Sequence, residues 1–158
     1  MSKKLTIIAV FMLLFTATNF AQETFTHPTA QVSVTLPAGW TYTNDASGIV
    51  ATPPDEAMAV TFSVVANDDL YSALEEVNAM LSDKFYSVRF DDPVSGDVNG
   101  LPVIYVLGTA DEFNAHVAVI DAPAGNTSLV VTYFATQEAL DAYGAALQDI
   151  LSSISAAE

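Results

Sequence analysis

One short stretch, residues 32–40, constrains the fold more than any other part of the sequence. From Val32 to Leu36, apolar residues alternate with polar ones, which is the period-2 pattern of a strand with one buried face. Pro37 has no N–H to donate to a ladder, and Gly39 lets the chain turn sharply. The only tryptophan, Trp40, follows at once. The stretch therefore predicts a strand and a turn that place the large ring of Trp40 against a sheet.

Length and composition indicate a single domain that is held together by packing alone. The chain has 158 residues, of which 51% are hydrophobic, so it can form one sizeable core but is too short for two ordinary domains. The absence of cysteine excludes disulfides, thiol catalysis, cysteine-ligated zinc and a lipidated N-terminal cysteine.

The first 21 residues have the layout of a secretory signal peptide. Lys3 and Lys4 precede an apolar run at 5–15 and a short, more polar region that ends at Ala21. The apolar run is shorter than the ~20 residues that span a bilayer, although an uncleaved anchor is the alternative. We predict cleavage after Ala21, a single mature domain over 22–158 without a stable membrane anchor, and a secreted or periplasmic location.

The charge balance excludes some classes of partner. The processed chain would keep two basic residues, Lys84 and Arg89, against 19 acidic ones, a formal net charge of −17. Such a surface repels nucleic acid and anionic lipid. The acidity fits either solubility in a saline exterior or a surface that attracts cations or a basic partner.

Two segments have the apolar period of a helix. Asn and Asp residues at 67–69 can cap the first, which we predict over about 69–85, and Thr136 can cap the second, over about 136–154. Gly144 lies beside the apolar stripe of the second helix. Glycine there costs roughly 0.5–1 kcal/mol relative to Ala, and we expect close packing on the sheet to offset this.

The other periodic segments predict strands, at 25–29, 32–36, 49–52, 57–65, 101–107, 113–120 and 128–134. The segment 85–98 predicts a strand with an irregular half, because it contains Pro93 and Gly96. The Asn99-Gly100 pair predicts a tight hairpin, since both residues accept a positive φ. The apolar run at 101–107 predicts a central strand covered on both faces. Short turns between successive strands require antiparallel pairing.

Three stretches carry a resemblance to a known family. They are Leu-Pro-Ala-Gly-Trp at 36–40, Asn-Gly-Leu-Pro at 99–102 and Ile-Leu-Ser-Ser-Ile at 150–154. Over about 25–154 the chain resembles the PsbP-like group, which includes the Mog-type Ran-binding proteins and the DcrB-like envelope proteins. The resemblance implies an α+β fold, an α/β/α sandwich with a central antiparallel sheet of about six to seven strands. It also implies a non-enzymatic binding or assembly role.

Motifs for catalysis or phosphate binding are missing from the sequence. It contains no nucleophile elbow, no glycine-rich phosphate loop and no H-E-x-x-H zinc motif. Of its two histidines, His116 falls in the middle of a predicted strand, on the face of Asn114, Ala118 and Ile120, as structural histidines do. His27 precedes Pro28, and we expect it to be exposed. We predict no catalytic residues and no cofactor.

Carboxylates are the only plentiful reactive groups. The paired acids at 55–56, 68–69, 91–92 and 111–112 fall in predicted turns or caps. Asp91, Asp92 and Asp97 are candidate calcium ligands, although their loop lacks the ligand pattern of an EF-hand. The sequence thus predicts an exported binding or assembly module whose partner is another envelope or secreted protein. A carboxylate-based hydrolase, a calcium-binding envelope protein and an envelope protein without a dedicated ligand are the alternatives.

Overall fold

The computed structural model describes residues 21–46 and 48–158. The predicted signal peptide, apart from Ala21, lies outside the described residues. In the described part the strands are β1 (Glu23–His27), β2 (Val32–Leu36), β3 (Thr41–Asp45), β4 (Gly48–Thr52), β5 (Val60–Val65), β6 (Val88–Phe90), β7 (Val94–Val98), β8 (Leu101–Ala110), β9 (Phe113–Asp121), β10 (Ser128–Ala135) and β11 (Ser155–Ala156). The helices are α1 (Leu70–Lys84), between β5 and β6, and α2 (Gln137–Ser153), between β10 and β11.

The central sheet is antiparallel and has eight strands, where the family resemblance implied about six to seven. Its order is β3-β4-β5-β10-β9-β8-β6, and β7 also pairs with β8. Two of the eight were not predicted as separate strands. No strand was predicted at β3, and the strand predicted over 85–98 is divided into β6 and β7, which share one edge of β8. Residues 91–93 separate β6 from β7 along this edge. Within this break, the Asp91 N–H donates a hydrogen bond to the carbonyl oxygen of Leu107 at 2.8 Å. This interruption is the irregular half that Pro93 predicted.

A second, smaller sheet contains the stretch at 32–36. In it β2 lies between β1 and β11, and all pairs are antiparallel. The inward side chains of Val32, Val34 and Leu36 are fully buried. The Ser153 hydroxyl accepts a hydrogen bond from the Thr35 N–H at 2.9 Å and lies 3.2 Å from the Thr35 carbonyl oxygen. These contacts attach β2 to the end of α2.

The two faces of the central sheet carry separate cores, which confirms the predicted layered α+β sandwich. On one face, Ala73, Leu74, Val77 and Leu81 of α1 pack with buried residues of β8, β9 and β10. On the other face, α2 and the small sheet enclose a core that includes Phe62, Trp40 and Ile150. Trp40 is 4% exposed, so the turn at 37–40 does place its ring against the sheet, as predicted.

The capping residues set the helix boundaries within about a residue of the predicted ones. The Asp69 carboxylate accepts from the Ser72 N–H at 2.8 Å, and the Thr136 hydroxyl oxygen accepts from the Ala139 N–H at 3.2 Å. Both side chains satisfy N–H groups that the first helical turn leaves unpaired. Neither helix in the described part of the chain is long and apolar enough to cross a membrane.

Candidate binding groove

A groove of about 920 Å³ separates α2 from the sheet at β8, β9 and β10. Its floor includes Val103, Tyr105, His116 and Tyr133, and its helical wall includes Leu140, Gly144, Leu147 and Leu151. The volume and the apolar walls with a few polar groups are typical of small-molecule sites. We call this feature the α2 groove.

The strand register places the floor residues on one face. Leu107 on β8 pairs with His116 on β9, and His116 pairs with Tyr133 on β10. Directly paired residues of antiparallel strands project to the same side of a sheet. Leu107 is 48% exposed, so the prediction of a strand covered on both faces is wrong at this end. The cause is the groove, which leaves this side of β8 without a packed layer.

His116 lies between two aromatic rings in the floor. Its imidazole stacks on Tyr133, with ring centroids 4.9 Å apart and planes 9° apart, and on Tyr105, at 5.9 Å and 26°. The residue is only 6% exposed, and burial lowers its pKa from 6.5 to about 4. Its Nδ1 is buried without a hydrogen-bond partner among the described residues. His116 lies on the strand face that was predicted for it. There it is a neutral polar group in the largely apolar floor of the groove.

Gly144 widens the groove on the helix side. A Cβ atom built at this position meets nothing within 4 Å, so the expected close packing of Gly144 on the sheet is wrong. The physical reason is that Gly144 lines the open α2 groove and has no strand residue directly beneath it. Its missing side chain leaves space that a larger residue would fill.

Acidic residues line one end of the groove. Asp97 of β7 and Asp149 of α2 both border it, and both are exposed. The Asn99 amide fixes this end, because it donates to the carbonyl oxygens of Ser152 and Ile154, each at 2.8 Å. The last turn of α2 carries no basic residue, so nothing there offsets the negative end of the helix dipole. The α2 groove is therefore acidic at the C-terminal end of α2.

The predicted calcium ligands do not gather in one place with other acids. Asp97 accepts a hydrogen bond from the Gly100 N–H at 2.9 Å and so supports the hairpin turn, while Asp91 and Asp92 lie in the break between β6 and β7. Within 21–46 and 48–158, no three His, Asp or Glu side chains are grouped as a metal site requires. A calcium site at these residues stays a prediction.

Several of the paired acids serve turns and caps, as predicted. Asp55 has a lowered pKa because its carboxylate accepts from the Tyr143 hydroxyl and then from the Ala57 N–H. The Asp111 carboxylate accepts from the Ser87 N–H at 2.8 Å, in the turn between β8 and β9. Hydrogen bonds of this kind stabilise ionised carboxylates, whereas a general acid needs the opposite shift of its pKa.

His27 is not exposed, contrary to expectation. It is 5% exposed, and its Nδ1 accepts a hydrogen bond from the Ala30 N–H at 3.2 Å. The reason is strand alternation, because His27 and Phe25 lie on the same inward face of β1. Burial lowers its pKa as well. The Nδ1 atom of His27 thus has a hydrogen-bond partner, whereas the Nδ1 atom of His116 has none among the described residues.

The sequence did not identify the α2 groove, although two features pointed to it. Tyr105 interrupts an otherwise apolar strand, and Gly144 interrupts a helical stripe. Each is unusual for a closed core, but neither reveals that the two lie across a gap. Asp149 also went unnoticed, because it looks like any exposed residue of an amphipathic helix.

Comparison with known proteins shows the fold and not a close relative. No protein-family model and no curated protein matches the sequence. Among solved structures, cyanobacterial PsbP (CyanoP) from Synechocystis sp. PCC 6803 is similar with a TM-score of 0.66 at 7% identity, covering 87% of this chain and 93% of that one. LpqN, involved in cell envelope biogenesis of Mycobacterium tuberculosis, is similar with a TM-score of 0.60 at 12% identity, covering 85% and 90%.

A third similar structure is larger. The protein from Bacteroides thetaiotaomicron VPI-5482 has a TM-score of 0.53 at 12% identity, and the match covers 85% of this chain but 48% of that one. These likenesses confirm that the chain has the PsbP-like fold that the sequence resemblance implied. At such low identity they carry over no binding residues.

Proposed function

We propose that the chain is an exported, non-enzymatic binding module that holds a small, largely apolar ligand in the α2 groove. One observation carries this proposal, namely His116, a buried polar side chain that lines an open apolar groove while its Nδ1 has no partner. Buried polar groups are normally hydrogen-bonded, and an unpaired one requires an explanation. A ligand beside the imidazole supplies one.

The chemistry of the groove supports binding over catalysis. A neutral imidazole between two tyrosine rings offers an aromatic surface for stacking, and its two ring neighbours include no carboxylate. The carboxyls whose pKa the fold shifts, Asp55 and Asp69, are both shifted downward. This direction favours structural acceptors over a general acid.

The similar structures support an accessory role in the cell envelope. LpqN takes part in cell envelope biogenesis, and the predicted signal peptide would send this chain to a comparable location. The sequence alone favoured a protein partner. A concave groove of this volume fits a small molecule better, since stable protein interfaces usually cover larger and flatter surfaces.

A titration with N-phenyl-1-naphthylamine, a neutral apolar probe that fluoresces on burial, tests the proposal. The wild-type domain over 22–158 should bind one probe. Gly144→Leu should abolish binding, because the new side chain enters the groove. This variant should remain folded, since nothing lies within 4 Å of the added Cβ atom and helices favour Leu over Gly.

The matched control is Ala145→Leu, which adds a similar side chain to the exposed side of the same helix. It should bind the probe as the wild type does. Absence of binding to the wild type, or equal binding to the wild type and Gly144→Leu, would show that the α2 groove is not a ligand site.

A further inference from the structure

The α2 groove has opposite chemistry at its two ends. Leu140 and Leu151 on its helical wall are separated by about 16 Å along the helix axis, from the 1.5 Å rise per residue. The Asn114 amide donates to the side-chain oxygen of Gln137 at the start of α2. The strand end that carries Leu107, His116 and Tyr133 therefore lies near Leu140, and this end of the groove is apolar and aromatic. Near Leu151 it reaches Asp97, Asp149 and Ser152. Its polarity therefore changes along its length.

The end of the groove near Leu151 carries only negative charge. Both carboxylates are on the exposed rim, and the C-terminal end of α2 adds the negative pole of its dipole. Neither Lys84 nor Arg89 lines the groove, and these are the only basic side chains beyond residue 21. A negatively charged head would meet repulsion at this end, whereas a positively charged one would meet two carboxylates.

From this geometry we infer that the ligand is a small amphiphile with a single cationic head, such as an alkylammonium. Its head lies beside Asp97 and Asp149, and its apolar body extends along the floor toward His116. This inference rests on the proposed function, because it assumes that the groove binds a ligand at all. It adds the charge of the ligand and the direction in which the ligand lies.

The apolar body fits the other end because that end offers contact area without charge. His116 is neutral at pH 7, since burial lowers its pKa to about 4. The half-exposed side chain of Leu107 extends the apolar floor to the surface. Covering this floor with an alkyl or aromatic body removes apolar area from water, at roughly 25 cal/mol per Å².

Competition against bound N-phenyl-1-naphthylamine, below the micelle concentration, tests the inference with two probes of equal chain length. Decylammonium should displace the dye about tenfold more effectively than decanoate, the effect that two exposed ion pairs can give. In Asp97→Asn/Asp149→Asn this preference should fall to near parity. Asn at 97 still offers an oxygen to the Gly100 N–H, so the hairpin turn is retained.

The matched control is Asp68→Asn/Asp83→Asn, which removes the same charge from exposed positions at the two ends of α1. This variant should keep the full preference for decylammonium. A preference that survives in Asp97→Asn/Asp149→Asn, or equal displacement by both probes in the wild type, overturns the inference. The proposed function would then stand or fall separately, on the dye titration with Gly144→Leu.

Discussion

The imidazole of His116 lies nearly parallel to the phenol ring of Tyr133, with centroids 4.9 Å apart and 9° between the ring planes. The stack fixes the orientation of a buried ring whose Nδ1 has no partner. It also removes the ring from water, and this desolvation disfavours the charged imidazolium. The same contact that forms the floor of the groove thus makes folding sensitive to pH.

Stability should fall between pH 7.5 and pH 5 because of His116. The pKa of His116 is about 4 in the folded protein, whereas an ordinary histidine, as in the unfolded chain, has a pKa of 6.5. As the pH falls through this window, the unfolded chain therefore binds the proton before the folded protein does. The free energy of unfolding should therefore decrease as pH falls, by on the order of 2 kcal/mol for this group. Urea unfolding at both pH values measures the loss.

His116→Phe is the comparison, because it keeps an aromatic ring and removes the titration. His27, whose pKa burial also lowers, is present in both proteins and contributes equally. The variant should lose about 2 kcal/mol less than the wild type on acidification. Equal losses in the two proteins would mean that His116 is not buried in its neutral form.

Trp40 should be one of the most stabilising side chains. It is 4% exposed, and its ring meets Tyr143 edge-on at a centroid distance of 5.8 Å and an angle of 89°. Trp40→Ala should cost ~3–5 kcal/mol, as deletions of buried aromatic rings do. Tyr86→Ala is the control, since Tyr86 is fully exposed and its loss should stay within about 0.5 kcal/mol.

Chemical denaturation measures both costs, and fluorescence checks the premise. The single tryptophan of the folded protein should emit at a shorter wavelength than free tryptophan in water. Emission at the wavelength of the free amino acid, or a Trp40→Ala cost as small as that of Tyr86→Ala, would place the ring outside the core.

Local sequence was sufficient for both helices and for most strands, but not for β3 and β11, which were not predicted. Asp69 and Thr136 are capping residues whose side chains bond to the first helical turns, so both helices were predicted within about a residue. The Asn99-Gly100 turn depends on positive φ at two neighbouring residues, 49° and 85°, which this dipeptide accepts. Helix caps and tight turns depend only on residues that are close together in the sequence.

The groove could not be predicted in the same way, because it depends on contacts far apart in sequence. The alternation in β2 predicted a strand but not that its partners would be β1 and β11 in a separate sheet. Gly144 has the same local pattern whether a strand or a gap lies opposite. For that reason the expectation that Gly144 packs closely on the sheet was wrong. The stacking of His116 with Tyr105 and Tyr133 was not predicted either.

Sodium chloride should raise the melting temperature, and calcium should add nothing more. A processed chain with a formal charge of −17 repels itself, and salt shortens the screening length from ~30 Å at 0.01 M to ~10 Å at 0.1 M. A site at Asp91, Asp92 and Asp97 would add stability by mass action even in high salt. Melts in high sodium chloride with and without millimolar calcium separate the two effects.

The control for that experiment is Asp92→Asn, which should melt identically with and without calcium. A calcium-specific rise of several degrees in the wild type that vanishes in Asp92→Asn would establish a cation site in the break between β6 and β7. It would also make metal binding the leading function.

Export should remove the first 21 residues. The basic start at Lys3 and Lys4 and the short apolar run at 5–15 predict a cleaved signal peptide, so the exported protein should begin at or next to Gln22. Intact-mass measurement of protein recovered from the envelope or medium gives the new N-terminus. Recovery of the full-length chain there would favour the uncleaved anchor.

The most direct test of ligand binding in the α2 groove uses the two histidines as internal reporters. His116 lines the groove, whereas His27 lies in the small sheet, bonded to Ala30. In NMR spectra of the domain over 22–158, addition of N-phenyl-1-naphthylamine should shift the imidazole Cε1–Hε1 signal of His116 until one equivalent is bound. The signal of His27 should stay in place. An unmoved His116 signal at saturation, or a shift of His27 alone, would contradict the account.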